Sequence, residues 1–164
     1  MTRARISDCP LARTVEVIDR WWTLEILHVV LGGHTRFSAI RRDLETPADV
    51  LADRIAALRA KGLLEVDDTA DDTAEPGDPT YRATDLGRSL RPLILVMAAF
   101  GNHRLAPEDR SVVLVDEETG REVDPVVVDR ATGRRVDTAG FVFARGPKAS
   151  EQVAARYPEP RAGG

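Results

Sequence analysis

The sequence predicts an α+β chain with its helices first. Apolar residues recur at helical spacing as far as Phe100, two short apolar runs flank a loop rich in Asp, Pro and Gly, and the stretch beyond Pro107 turns to valine runs punctuated by Thr-Gly pairs. The first helix follows Pro10, where proline suits an initial turn, and Leu11, Val15 and Ile18 fall on one face. A second carries Trp22, Ile26, Leu27, Val30 and Leu31 and is stopped by Gly32-Gly33. Thr35 is expected to cap a third, short helix whose inward residues are Phe37, Ile40 and Leu44. The turn Glu45-Thr46-Pro47 then opens a fourth, with Thr46 as cap, Pro47 as first helical residue, Asp49 in the first turn, and Leu51, Ile55 and Leu58 inward. Gly62 ends it.

Leu63 to Val66 and Thr80 to Arg82 read as the arms of a hairpin. Thr84 caps the next helix, on which Leu86, Leu90, Leu93, Met97 and Phe100 form an a/d seam with a kink expected near Pro92. A seam of that kind needs a partner helix, and a second copy of the chain is the natural one. Val113–Asp124 (VLVDEETGREVD) and Val126–Asp137 (VVVDRATGRRVD) are an internal repeat, expected to form two successive hairpins turning at Thr119-Gly120 and Thr132-Gly133. Phe141-Val142-Phe143 is expected to add a strand, and the residues from Gly146 onward to be a loosely ordered tail. The domain reading is therefore 1–106, 107–145 and 146–164.

Composition narrows the function classes. In 164 residues, 43% are apolar, enough for a real core, and no run approaches the roughly 20 apolar residues that span a bilayer. A cytoplasmic protein is expected. The single cysteine, Cys9, excludes an intrachain disulfide and a cysteine-rich zinc site. His28, His34 and His103 lack metal-ligand spacing, and no phosphate loop or nucleophile motif suggests an enzyme; no cofactor is expected. The net charge of -4 does not advertise a nucleic-acid binder, yet the acids are unevenly placed: Glu65 to Asp78 hold seven acids and no base.

Three helices with a tight turn between the third and fourth elements' ends, followed by a hairpin, give the order of a winged helix-turn-helix. Cys9-Pro10-Leu11-Ala12-Arg13, Trp22 to Leu27, Arg36-Phe37-Ser38, Leu51 to Ile55, Gly62-Leu63-Leu64 and Tyr81 to Arg88, as an ordered set, resemble the HxlR-type winged-helix transcriptional regulators of bacteria over about Cys9 to Leu105. The resemblance implies a dimer formed through the first and last helices of the domain, with the fourth helix in the major groove. This chain departs from the pattern in its acidic wing, which would repel phosphates, and in its Thr119 and Thr132 turns, where some relatives have paired cysteines suited to zinc.

Base reading would fall to the start of the fourth helix, at Ala48, Asp49, Ala52 and Asp53, with Val50 partly exposed at best; Thr46 and Ser38 are also expected among the DNA-binding residues. Asp49 is also read as a capping acid. Phosphate contacts are expected from Arg36, Arg41, Arg42, Arg54, Arg59 and Arg82. Leu11, Val15, Trp21, Trp22, Leu90, Leu93, Met97 and Phe100 are candidates for the dimer interface or an effector pocket. Cys9, at a helix start, is read either as a redox or electrophile sensor or as a small packed residue. The expected partners are a palindromic double-stranded DNA, a second copy of the chain and a small-molecule effector. The competing reading is a winged-helix protein that has lost DNA binding and takes a small ligand or a protein partner.

Overall fold

Ile26, Leu27, Ile40, Leu51, Ile55, Leu58 and Leu63 are almost completely shielded from solvent and form the core of the computed structural model, which describes residues 9–68 and 77–160. Internal contacts divide the chain into two compact units, Arg20–Pro125 and Met1–Asp19 with Val126–Gly164.

The Arg20–Pro125 unit opens with three helices, α2 (Trp21–Leu31), α3 (Phe37–Asp43) and α4 (Ala48–Ala60). α2 buries Thr23, Ile26, Leu27 and Val30, a face set by spacings of three and four residues. α3 contributes Ile40 and α4 contributes Leu51, Ile55 and Leu58. The turn from α3 to α4 places Glu45 in the left-handed region, at φ 46, while the Thr46 hydroxyl donates to the Leu44 carbonyl at 2.8 Å. Thr46 therefore does not cap α4, and the helix starts one residue later than expected, with Pro47 at the N-cap. Thr35 does not cap α3 either: Arg36 occupies that position, and Thr35 is engaged in backbone pairing.

β1 (Leu64–Val66) and β2 (Tyr81–Ala83) pair antiparallel, Leu64 opposite Ala83 and Val66 opposite Tyr81. On the other edge of β2 the Tyr81 amide donates to the Thr35 carbonyl at 2.8 Å and the Phe37 amide to the Pro79 carbonyl at 2.9 Å, so Arg36 bridges Thr80. The hairpin is thus fastened to the residues that lead into α3. Its tip, including Asp71 and Asp72, lies outside the described residues.

The long helix expected after Thr84 is two helices, α5 (Asp85–Ser89) and α6 (Arg91–Asn102), that meet at Leu90. The Pro92 ring and missing N–H disrupt the turn before it, which is the expected kink carried to a break. Thr84 does cap, accepting from the Gly87 amide at 3.1 Å while its hydroxyl donates to the Gly62 carbonyl at 2.5 Å. Gly87 is buried against Leu63: a Cβ there would lie 2.2 Å from the Leu63 carbonyl oxygen.

α1 (Pro10–Ile18) belongs to the other unit and buries none of its residues. The repeats correct the sequence reading. Both turns form as expected, with Gly120 and Gly133 at φ 67 and 68, and each repeat closes with one bridge, Val115 to Glu122 and Val128 to Arg135. Among the described residues no longer strand follows, and residues 141–143 do not form one. The carboxylates explain why the turns outlast the ladders. Asp116 accepts from the Thr119 amide and hydroxyl at 2.8 and 2.9 Å, and Asp129 from the Thr132 hydroxyl at 2.5 Å, which holds both acids below their ordinary range. The flanking valines, half exposed, gain too little burial to extend the pairing. Within residues 146–160, Ser150 caps a single turn, α7 (Glu151–Ala154).

Candidate nucleic-acid interface

With Leu51, Ile55 and Leu58 turned inward, α4 leaves Ala48, Asp49, Ala52 and Asp53 exposed on its N-terminal half and Val50 half-buried. This is a smooth, acidic surface. It offers carboxylates, which accept from cytosine N4, and methyl groups that fit a thymine methyl, but no cation for guanine. Asp49 sits in the first turn of α4, where the helix dipole favours an acid.

The arginines fall into two groups. Arg41, in the last turn of α3, and Arg59, in the last turn of α4, are exposed and make no ion pair among the described residues. The others are engaged within the chain. Arg42 Nε lies 3.5 Å from Asp43, Arg82 Nε lies 2.9 Å from Glu65, and the Arg54 guanidinium sits 5.3 Å above the Trp22 ring. Arg36 is half-buried at the α3 N-cap. Exposed pairs such as Arg82 with Glu65 are held by about 0–1 kcal/mol, so a phosphate can displace the acid.

Ser38 is committed more firmly. Its amide donates to Asp78 at 2.8 Å and its hydroxyl to the same carboxylate at 2.7 Å, which holds the Asp78 carboxyl below its ordinary range. The hydroxyl proton is therefore spent on the wing rather than on a phosphate. Asp78 caps α3 from the base of the hairpin, so at least this acid of the wing serves the fold. The sequence reading counted it among seven loop acids and missed the role; its place in Gly77-Asp78-Pro79, directly before the returning strand, is the signal that distinguishes it. Also missed was the contact of the His34 ring with Asp43, which lowers the Asp43 pKa and ties the α2–α3 connection to the end of α3.

The residues expected at an interface between copies are largely open. On α6, Met97 is exposed and Phe100 is 80% exposed; Leu86 of α5 is exposed, and Leu90 and Leu93 are half-buried. Trp21 is 66% exposed and Trp22 half-buried; Leu11 and Val15 of α1 are exposed. A separate face of α6, with Ile94, Ala98 and Asn102, borders a cleft of about 530 Å³ closed on its far side by Val112–Leu114 and Glu122–Pro125. Across it Arg110 pairs with Glu122 at 2.7 Å, and Asn102 donates to the Val112 carbonyl at 2.8 Å. Cys9 is half-buried at the N-cap of α1 and is a free thiol.

Comparison with known proteins agrees with this geometry. The family model for the HxlR-like helix-turn-helix matches residues 17–109. The HTH-type transcriptional regulator Rv3095 of Mycobacterium tuberculosis, itself uncharacterised, is 31% identical over 116 residues, 70% of this chain and 72% of its own. Among solved structures, the candidate transcription factor PA1374 from Pseudomonas aeruginosa superposes with a TM-score of 0.64 at 32% identity, over 90% of this chain and 99% of its own. The candidate transcription factor PA1607 gives 0.70 at 27% identity over 85% and 96%. The family match covers more than half of the chain, the relatives are transcriptional regulators, and this chain belongs to the HxlR-like helix-turn-helix family of transcriptional regulators.

Proposed function

We propose that the protein is a homodimeric, sequence-specific regulator that acts in the cytoplasm and inserts α4 of each copy into successive major grooves of a palindromic double-stranded operator. The observation that carries this reading is the exposed N-terminal face of α4, whose small side chains let the helix approach base edges, with Arg41 and Arg59 at its borders for phosphates. Arg36, Arg42, Arg54 and Arg82 add to the phosphate set after giving up their internal partners, and Ser38 donates to a phosphate only when its hydroxyl leaves Asp78. Ala48, Asp49 and Asp53 read bases, and Thr46 approaches the backbone at the turn.

Exposed apolar side chains support a dimer: Met97 and Phe100 on α6 and Leu86 on α5 stand open, with Leu90 and Leu93 half-buried, and Leu11, Val15, Trp21 and Trp22 are assigned to the dimer interface or an effector pocket as well. The domain assignment goes with this: 1–106 binds DNA and dimerises, 107–145 is an appended β-turn region and 146–164 a tail. A small molecule or a redox change controls the dimer, the latter through Cys9 joined to a second chain or a small thiol, since no other cysteine exists.

One observation favours a second reading, a winged-helix protein that binds a basic protein surface instead of DNA: the two acids, Asp49 and Asp53, on the open face of α4. An electrophoretic shift with the DNA upstream of the protein's own gene decides. A retarded band that yields to specific competitor supports the regulator, and no shift at any protein concentration supports the alternative.

A further inference from the structure

Asp49 and Asp53 of α4 stand on the side of the helix turned away from the core. Each lies two residues from the buried Leu51, which at about 100° per residue puts it about 160° around the helix from that side chain. Both are exposed, and neither side chain takes part in a hydrogen bond or ion pair among the described residues. Being four residues apart, they sit one above the other on a single face. Ala48 and Ala52, also exposed and also one turn apart, flank them. Ahead of Arg54 the helix carries no cation, and Arg54 itself is turned onto Trp22.

An ionised carboxylate only accepts hydrogen bonds. In the major groove guanine presents two acceptors, thymine an acceptor and a methyl, and adenine a donor beside an acceptor. Cytosine alone presents a donor, its N4 amino group, with no acceptor of its own. A carboxylate brought to the groove floor is therefore satisfied by cytosine and meets an acceptor on every other base. The alanines are short enough to let the helix approach, and their methyl groups suit the methyl of thymine. Four residues of helix advance about 6 Å and successive base pairs about 3.4 Å, so the two carboxylates address positions about two base pairs apart. A duplex that lacks an N4 donor there meets the repulsion between acids and phosphates with nothing to offset it.

We infer that α4 is a cytosine reader: Asp49 and Asp53 each accept from the N4 amino group of a cytosine, in two C·G pairs about two steps apart within each half-site, with Ala48 and Ala52 against thymine methyls beside them. The inference rests on the proposed entry of α4 into the major groove and names the bases that it recognises there.

Selection from a pool of random-sequence duplexes with the full chain, followed by anisotropy on the enriched duplex and its single-base variants, tests the inference. Each half-site should hold the two cytosines, and replacing either by another base should weaken binding by about tenfold or more. Asp53→Asn keeps the shape of the side chain but suits adenine N6 and N7, so it should move the preference at one of the two positions from cytosine to adenine. Asp53→Ala should lose the preference at that position. Both substitutions fall at an exposed position outside the core. An enriched site without the cytosines, or Asp53 variants that select the same base as the original chain, would overturn the inference and leave the regulator reading standing. Failure of the original chain to enrich any sequence would overturn both.

Discussion

The Arg54 guanidinium of α4 lies 5.3 Å above the ring of Trp22 in α2, so the helix that carries the open face is pinned to the core by a stacked cation. Trp22 is one of two adjacent tryptophans, and this contact separates them: Trp22 is half-buried beneath Arg54, while Trp21 stands in solvent.

Arg54→Ala is expected to lower unfolding stability by about 0.5–1 kcal/mol, read as a lower urea midpoint, and also to weaken DNA binding. Arg54→Lys keeps the charge but loses the planar stack, so it should retain more affinity than stability. Equal melting of all three chains would show that the contact does no structural service.

Asp78 joins the hairpin to α3, and its removal should be felt by both. Asp78→Ala leaves the Ser38 amide uncapped and is expected to cost about 1 kcal/mol. The sign of the pH dependence follows from the lowered pKa: the stabilisation is present above the ordinary carboxylate value and is lost as pH falls below about 4. Followed by circular dichroism in urea, the stability of the original chain should therefore fall more steeply below about pH 4 than that of Asp78→Asn, which lacks the titrating carboxyl. A curve identical in shape for both chains would refute the assignment.

Gly87 has no room for a side chain. Gly87→Ala places Cβ against the Leu63 backbone carbonyl, which cannot swing aside as a side-chain tip would. We expect a loss of about 1–3 kcal/mol, measured as a shift in denaturant midpoint with the slope unchanged. A neutral result would mean that α5 moves freely over the β1–β2 hairpin.

The dimer rests on Phe100 and its neighbours. Burying a phenylalanine is worth about 1.5–3 kcal/mol, and a carboxylate in its place must also be desolvated, so Phe100→Asp should give monomers in sedimentation velocity at concentrations where the original chain is a dimer. A dimer that survives the substitution would place the interface elsewhere.

Much of the fold was legible because it depends on spacing. The inward faces of α2 and α4, the stop at Gly62, the hairpin and the Thr84 cap all follow from local rules, and the break before Pro92 differs from the expected kink only in degree. Local rules also explain the misses. Thr35 and Thr46 are good caps taken alone, but the pairing of Thr35 with Tyr81, across more than forty residues of sequence, and the carbonyl of Leu44 claim them first. Ser38 and Asp78 lie 40 residues apart, a pairing that periodicity does not reveal. In the repeats the valine runs promised strands, and the Asp-Thr turns formed, yet a strand also needs a neighbour to cover it, which is a property of the assembly and not of the segment. At the interface the types of residue were visible, but which arginines are already engaged was not.

Fluorescence anisotropy with a labelled inverted-repeat duplex and a scrambled one, across a salt series, tests whether paired α4 helices read a duplex. Binding to the repeat should be at least about 1,000-fold tighter than to the scrambled duplex, with affinity falling linearly on a log-log salt plot by about 0.9 per phosphate contact. Equal affinity for both duplexes, or binding indifferent to salt, would contradict it.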